Sequence, residues 1–284
     1  MLLSSVLAFM TLIAGQTAQA FPLTSTKPIL ASHISPLFTA AQYDFEGIVA
    51  LSNCSGSVIR LETSKDNDKA MVLTNGHCLE LGMPRPGQVH VNRPSNRTFR
   101  LLNKNAQGVA TLTATKIMYS AMTKTDMTIY QLAETYADIK AATGLNPLTL
   151  SSRPPQIGEN IEVLSGYWKR GYSCAVEAII PKLQEGNWVC EESIRYSRPG
   201  CEVIGGTSGS PIVLAGSRTV VGVNNTGNED GSMCTMNNPC EISETGEKTA
   251  VQGYSYAQQT WWFYTCLNGQ NEIDMTRPGC LLAH

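Results

Sequence analysis

Short apolar runs rich in β-branched residues, each closed off by Gly, Pro or a polar turn, recur along the chain from Ser57 onward, with few helical windows between them. A sequence punctuated in this way folds as short strands joined by tight connections. Ser57-Val58-Ile59-Arg60-Leu61 and Ala70-Met71-Val72-Leu73-Thr74 are two such runs, and the polar stretch from Ser64 to Lys69 predicts a hairpin between them, centred near Asp66. Cys54 and Cys78 flank that centre symmetrically. Antiparallel pairing therefore sets them opposite each other, and a disulfide is expected. Further strands are expected at Gln88 to Val91, Thr111 to Ile117, Met127 to Leu132, Asn160 to Leu164, Ala175 to Ile180, Trp188 to Tyr196, Pro211 to Leu214 and Thr219 to Val223. Helix is expected only at Thr135 to Ala142 and in part of Tyr254 to Leu267. The fold class is all-β, a barrel or a sandwich.

Length allows one large core or two of modest size. Pro147, Ser151-Ser152, Pro154-Pro155 and Gly158 give the stretch between Asn146 and Asn160 the composition of a linker, which favours two β domains. A formal net charge of -2, with 15% charged residues and no long run of either sign, leaves a nucleic-acid surface without electrostatic support. Met1 to Ala20 carries no charged side chain, is mostly apolar from Leu2 to Ile13, and ends in the small-x-small pattern Ala18-Gln19-Ala20. That is the pattern of a secretory signal. No later stretch has the roughly 18 apolar residues a membrane span requires, so the processed chain is expected to be soluble, with no membrane partner. Export permits disulfides, and all 9 cysteines lie beyond the expected cleavage point. An odd count leaves one unpaired or bonded to another chain. No Cys-x-x-Cys pair occurs, and His33, His77, His90 and His284 show no ligand spacing, so no metal is expected.

Chemistry concentrates at Gly205-Gly206-Thr207-Ser208-Gly209-Ser210-Pro211, where one hydroxyl stands between glycines that let the backbone turn sharply and expose its amides. The same composition also makes an ordinary loop. A serine attacks a carbonyl when a base takes its proton and a carboxylate orients that base. Beyond Ser208 the only histidine is the terminal His284, which argues against a Ser-Asp-His order. His33 precedes the expected domain and His90 sits in a polar stretch, whereas His77 ends an apolar strand beside a cysteine. Between His77 and Ser208 the only aspartates are Asp126 and Asp138. Asp126 opens the strand-like Met127 to Leu132, and Asp138 is surrounded by surface-type residues, so Asp126 is the better orienter.

With these residues in place, the chain resembles a chymotrypsin-like (trypsin-fold) serine peptidase, nearest to the bacterial glutamyl-endopeptidase branch. Leu73-Thr74-Asn75-Gly76-His77-Cys78 is similar to that superfamily's histidine motif, Asp126 to Leu132 to its aspartate motif and Gly205 to Pro211 to its serine motif. Ser52 to Ile59 is similar to the strand before the histidine, and the resemblance covers roughly Phe45 to Gly227. It implies two six-stranded antiparallel β-barrels with the active site in the cleft between them. By the same resemblance His77 is general base and then acid, Asp126 orients it, Ser208 is the nucleophile, and the amides of Gly206 and Ser208 form the oxyanion hole. The chain then divides into a signal (1–20), an arm or propeptide (21–44), a first barrel (45–148), a second barrel (149–265) and a disulfide-closed tail (266–284).

Some positions depart from the pattern. Thr207 stands where trypsin-type zymogens carry the Asp that pairs with a freed amino terminus, so activation through that ion pair is not expected. Glu202, six residues before Ser208, stands where a trypsin-like pocket keeps its acidic floor. In a pocket it would select Lys or Arg; on the surface it would only be solvated. Asn224 or Asn225 stands where the glutamyl endopeptidases read a substrate carboxylate with a histidine, which disfavours glutamate preference. Cys234 with Cys240 and Cys266 with Cys280 are expected as local bridges, which leaves Cys174, Cys190 and Cys201 for one bond and one leftover, with Cys174 to Cys201, a tie to the nucleophile loop, preferred. The aromatics Trp261 to Tyr264 are expected to pack in a core. The functional expectation is a secreted, monomeric endopeptidase acting on protein or peptide substrates without a cofactor; a catalytically silent binding protein and an esterase-like hydrolase are the alternatives.

Overall fold

A computed structural model describes residues 43–284. The expected signal and most of the expected arm lie outside the described residues. In chain order the first half contains β1 (Ile48–Ala50), β2 (Ser55–Arg60), β3 (Lys69–Thr74), β4 (Val89–Pro94), β5 (Thr98–Leu102), β6 (Gly108–Ala121), β7 (Met127–Thr135), α1 (Tyr136–Thr143) and β8 (Leu148–Leu150). The second half contains β9 (Asn160–Ser165), β10 (Arg170–Glu185), β11 (Trp188–Tyr196), β12 (Pro211–Leu214), β13 (Thr219–Gly227), β14 (Cys240–Ile242), β15 (Lys248–Thr249), β16 (Ser255–Gln259) and α2 (Trp262–Thr265). Antiparallel pairing in the order β1-β5-β6-β7-β3-β2 closes back on β1, and β13-β12-β9-β10-β11-β16 closes back on β13. The protein is therefore all-β, with two six-stranded barrels that leave no open edge on either ring.

The β2–β3 hairpin pairs Ser57 with Leu73 and Ile59 with Met71, which centres it on Lys65, one residue before the expected centre. Successive residues of these strands alternate between two apolar clusters. Val58, Val72 and Tyr130 fill the first barrel, whereas Ile59, Leu73 and Ile129 join a cluster shared with Leu164, Val213 and Val223 of the second half. Both faces of β2 and β3 are thus buried, and this is why their sequences read as unbroken apolar runs. Each Val, Leu or Ile so enclosed contributes about 1.5–3 kcal/mol of burial. Ile161, Val163, Tyr172, Ile194 and Ile212 fill the second barrel.

The stretch expected as a bare linker contains β8, which pairs in parallel with β2 through Ile59 and Leu148 and with β13 through Val220 and Leu150. The helix expected in part of Tyr254 to Leu267 is α2, restricted to Trp262–Thr265, and β16 precedes it in the same stretch. Its Trp262 and Phe263 sit in the cluster between the barrels, together with Leu282. Disulfides join Cys54 to Cys78, Cys174 to Cys201, Cys234 to Cys240 and Cys266 to Cys280. Cys190 is free and buried.

Candidate active site

β3 ends at Thr74, and the chain turns inward through Asn75 and Gly76 before reaching His77. A Cβ on Gly76 would lie 2.1 Å from the Ala121 carbonyl oxygen and 2.9 Å from Asp126 Oδ1, so only glycine lets this turn press against the next strand. Asp126, 3% exposed, immediately precedes β7. Three bonds lock the two segments together. His77 Nδ1 meets Asp126 Oδ2 at 2.6 Å, the His77 N–H donates to Asp126 Oδ1 at 3.0 Å, and Asn75 Nδ2 donates to the Asp126 carbonyl at 2.8 Å. Burial alone would lower the affinity of the imidazole for a proton. The charge and hydrogen bond of Asp126, with a smaller contribution from Glu185, outweigh it and hold His77 above its ordinary value. Asp138, the other aspartate in the interval, is occupied in the capping box of α1 with Thr135, and His90 lies in β4.

The loop carrying Ser208 is held from several sides. Gly209 N–H donates to the Asn224 carbonyl at 3.0 Å, Thr207 N–H to the Ile204 carbonyl at 3.0 Å, and the Gly205 carbonyl accepts Trp168 Nε1 at 2.8 Å. Gly209 has φ +80°, and a Cβ there would lie 2.1 Å from the Ser55 carbonyl oxygen. From the first barrel, Ser55 N–H donates to the Ser208 carbonyl at 2.8 Å, while Ser55 Oγ donates to the Gly206 carbonyl at 3.4 Å and lies 3.1 Å from Ser165 Oγ. Among the described residues, neither the Gly206 nor the Ser208 N–H finds an acceptor in the protein. Ser208 Oγ donates to the Asn225 carbonyl at 3.3 Å. Thr207 is fully buried, its hydroxyl unpartnered.

His77, Asp126 and Ser208 line one cleft of about 490 Å³. Glu202 and Asn224 border it as well. Glu202 is exposed, and its carboxylate accepts the Gly200 N–H at 3.4 Å. The Asn224 side chain is taken up by the Tyr196 hydroxyl at 2.9 Å. Sequence reasoning missed three residues here. Ser55 is one of many serines, and its role follows from the barrel contact alone. Arg198, whose Nη1 donates to the Gln252 carbonyl at 3.0 Å, and Glu185, at the tip of the β10–β11 hairpin, both reach the cleft through long-range folding. The donor atoms of Cys54, His77 and Cys78 fall within 4.8 Å of one another, yet the two sulfurs are spent in a disulfide and cannot act as thiolate ligands. Burial pushes the Cys190 thiol well up, which makes it a poor nucleophile.

The family model of the trypsin-like peptidase domain matches residues 54–223, more than half the chain. The protein belongs to that family. This trypsin-like peptidase is similar in structure to the MamO protease domain of Magnetospirillum magneticum, with 12% identity, a TM-score of 0.47, and coverage of 80% of this chain and 98% of that one. It is also similar to the protease Anisep from Arthrobacter nicotinovorans (14% identity, TM-score 0.44, 76% and 91% covered). A Nocardiopsis protease gives 14% identity, a TM-score of 0.43, and 76% and 92% covered. No curated protein sequence matches the trypsin-like peptidase.

Proposed function

We propose that this peptidase is an exported serine endopeptidase in which Ser208 is the nucleophile, His77 the base and then acid, and Asp126 the orienter. The observation that carries the reading is the convergence on one cleft of a carboxylate-bound imidazole and a loop hydroxyl, on a loop whose Gly206 and Ser208 amides are unpaired. Ser208 Oγ adds to the peptide carbonyl as its proton passes to His77, and the negative oxygen that forms is met by the Gly206 and Ser208 N–H groups. Losing one such donor costs about 3–4 kcal/mol of transition-state stabilisation. The imidazolium then protonates the leaving amine, and water hydrolyses the acyl-enzyme by the same route. The Asn225 carbonyl holds the Ser208 hydroxyl, and Asn225 lines the cleft. A substrate N–H that takes this acceptor frees the hydroxyl to turn towards His77, so substrate binding itself completes the relay.

Glu202 in the cleft wall favours Lys or Arg on the acyl side of the cleaved bond, by charge-assisted pairing. Arg198 in the same wall, with no carboxylate partner among the described residues, supports a second reading in which an acidic side chain is taken instead. Kinship with the glutamyl-endopeptidase branch rests on the motifs alone. Four disulfides and the signal-like segment Met1 to Ala20 support export. A fluorophosphonate probe is expected to label the mature protein, and Ser208→Ala to abolish labelling and casein cleavage together. Cleavage that persists in the variant defeats the assignment. Peptide-library profiling separates the two charge preferences.

A further inference from the structure

β10 and β11 form a long hairpin that leaves the second barrel and crosses to the first. Its tip is fastened there: Lys124 N–H donates to the Val189 carbonyl at 3.0 Å, Glu191 N–H to the Lys124 carbonyl at 2.8 Å, and Trp188 Nε1 to the Pro84 carbonyl at 2.9 Å. This bridging sets Glu185 in the same cleft as His77 and Asp126, which Met122, Leu183 and Trp188 line together with the polar Thr226 and Asn237. The carboxylate is aimed by the Asn237 N–H, which donates to Oε1 at 2.7 Å. No Lys or Arg pairs with it among the described residues. A part-buried carboxylate anchored only by neutral donors lacks one thing, a positive charge.

The direction of a bound peptide supplies it. Consecutive side chains of an extended chain point to opposite sides. Arg198 and Glu202 belong to the segment that leads to Ser208, whereas Glu185 stands on the hairpin fastened to the first barrel, which carries His77. When the residue whose carbonyl is attacked turns towards Arg198 and Glu202, the residue just before it turns away from them, to the side of His77 and Glu185. Resting on the peptidase reading above, we infer that Glu185 is a second specificity determinant, selecting Lys or Arg at the position immediately upstream of the residue attacked. Burial and the nearby Asp126 charge hold the Glu185 carboxyl above the ordinary carboxylate range, against the bonds from Thr226 and Asn237. A cation bound there relieves both.

The test uses the mature protein and fluorogenic peptides identical except for Lys, Gln or Glu at that upstream position. The wild-type protein is expected to favour Lys over Glu by tenfold or more in kcat/KM, on the order of one charge-assisted hydrogen bond. Raising the salt concentration should shrink the ratio. Glu185→Gln should collapse the ratio, Glu185→Lys should invert it, and Glu185→Asp, which keeps the charge should the amide variant fold poorly, should retain its sign. A wild-type protein that cleaves but ignores the upstream charge overturns this inference alone, as does a Glu185→Gln variant that keeps the Lys preference. One that neither labels with fluorophosphonate nor cleaves overturns the peptidase reading and this inference with it.

Discussion

Ser55 gives its N–H to the carbonyl of Ser208 at 2.8 Å, so a strand of the first barrel is hydrogen-bonded directly to the loop of the second that carries the proposed nucleophile. The two halves of the proposed machinery are registered by this contact, and the Ser55 hydroxyl extends it to Gly206, Ser165 and the Tyr167 N–H.

Ser55→Ala keeps the amide contact and removes the hydroxyl, which strands the Tyr167 N–H and leaves the Ser165 hydroxyl with only the Trp168 N–H. Buried groups stranded in this way cost about 1–3 kcal/mol. A thermal melt should show the loss, and kcat should fall with it, because the Gly206 peptide is no longer held in place.

The imidazole of His77 titrates above the usual value of about 6.5, so the acid limb of kcat/KM is expected above that pH. Asp126→Asn removes the charge that raises it. The variant's limb should move down in pH, and kcat should drop by about 10³–10⁴ as the ring loses its tautomer control. Since the folded-state value is raised, the pair stabilises the fold fully below pH ~6.5 and loses that contribution as pH rises through the folded-state value. Chemical denaturation across pH, wild type against Asp126→Asn, reads this difference directly.

Gly209→Ala places a methyl against the Ser55 carbonyl at a backbone angle that non-glycine residues adopt at a cost of about 1–3 kcal/mol before any clash. The expected result is loss of fluorophosphonate labelling together with a lowered melting temperature. A variant with wild-type labelling would contradict the crowding described at this turn.

The Cys266–Cys280 bridge closes a separation of 14 residues and holds the tail whose Leu282 is fully buried between the barrels. Removing it with a Cys266→Ser, Cys280→Ser pair should cost about 3 kcal/mol in denaturant unfolding. Leu282→Ala in the intact tail should cost about 2–5 kcal/mol by opening a cavity.

What could be read in advance depended on whether burial left a mark on the sequence. β2 and β3 are apolar on both faces, and their signal was plain. β16 carries none, because Gln258 and Gln259 are buried yet satisfied, the first by Ser193 and the second by the Glu192 carbonyl and Trp261, so the apolar pattern of a core strand is missing. β1 and β8 have 3 residues each, too few to show a period. At the site, His77 and Asp126 could be singled out as candidates by elimination among few histidines and aspartates, and Ser208 by its flanking glycines. Glu185 and Arg198 could not, since a bridging hairpin and a folded-back loop bring them to the cleft from positions with no distinguishing neighbours.

The three residues of β8 are shared by both rings, lying as a common rung between β2 and β13. Two halves riveted in this way cannot swing apart like jaws to admit a bulky guest. On the proposed reading, a target would then have to come as a loose thread, and its own slackness would be the first filter on what this protein can destroy.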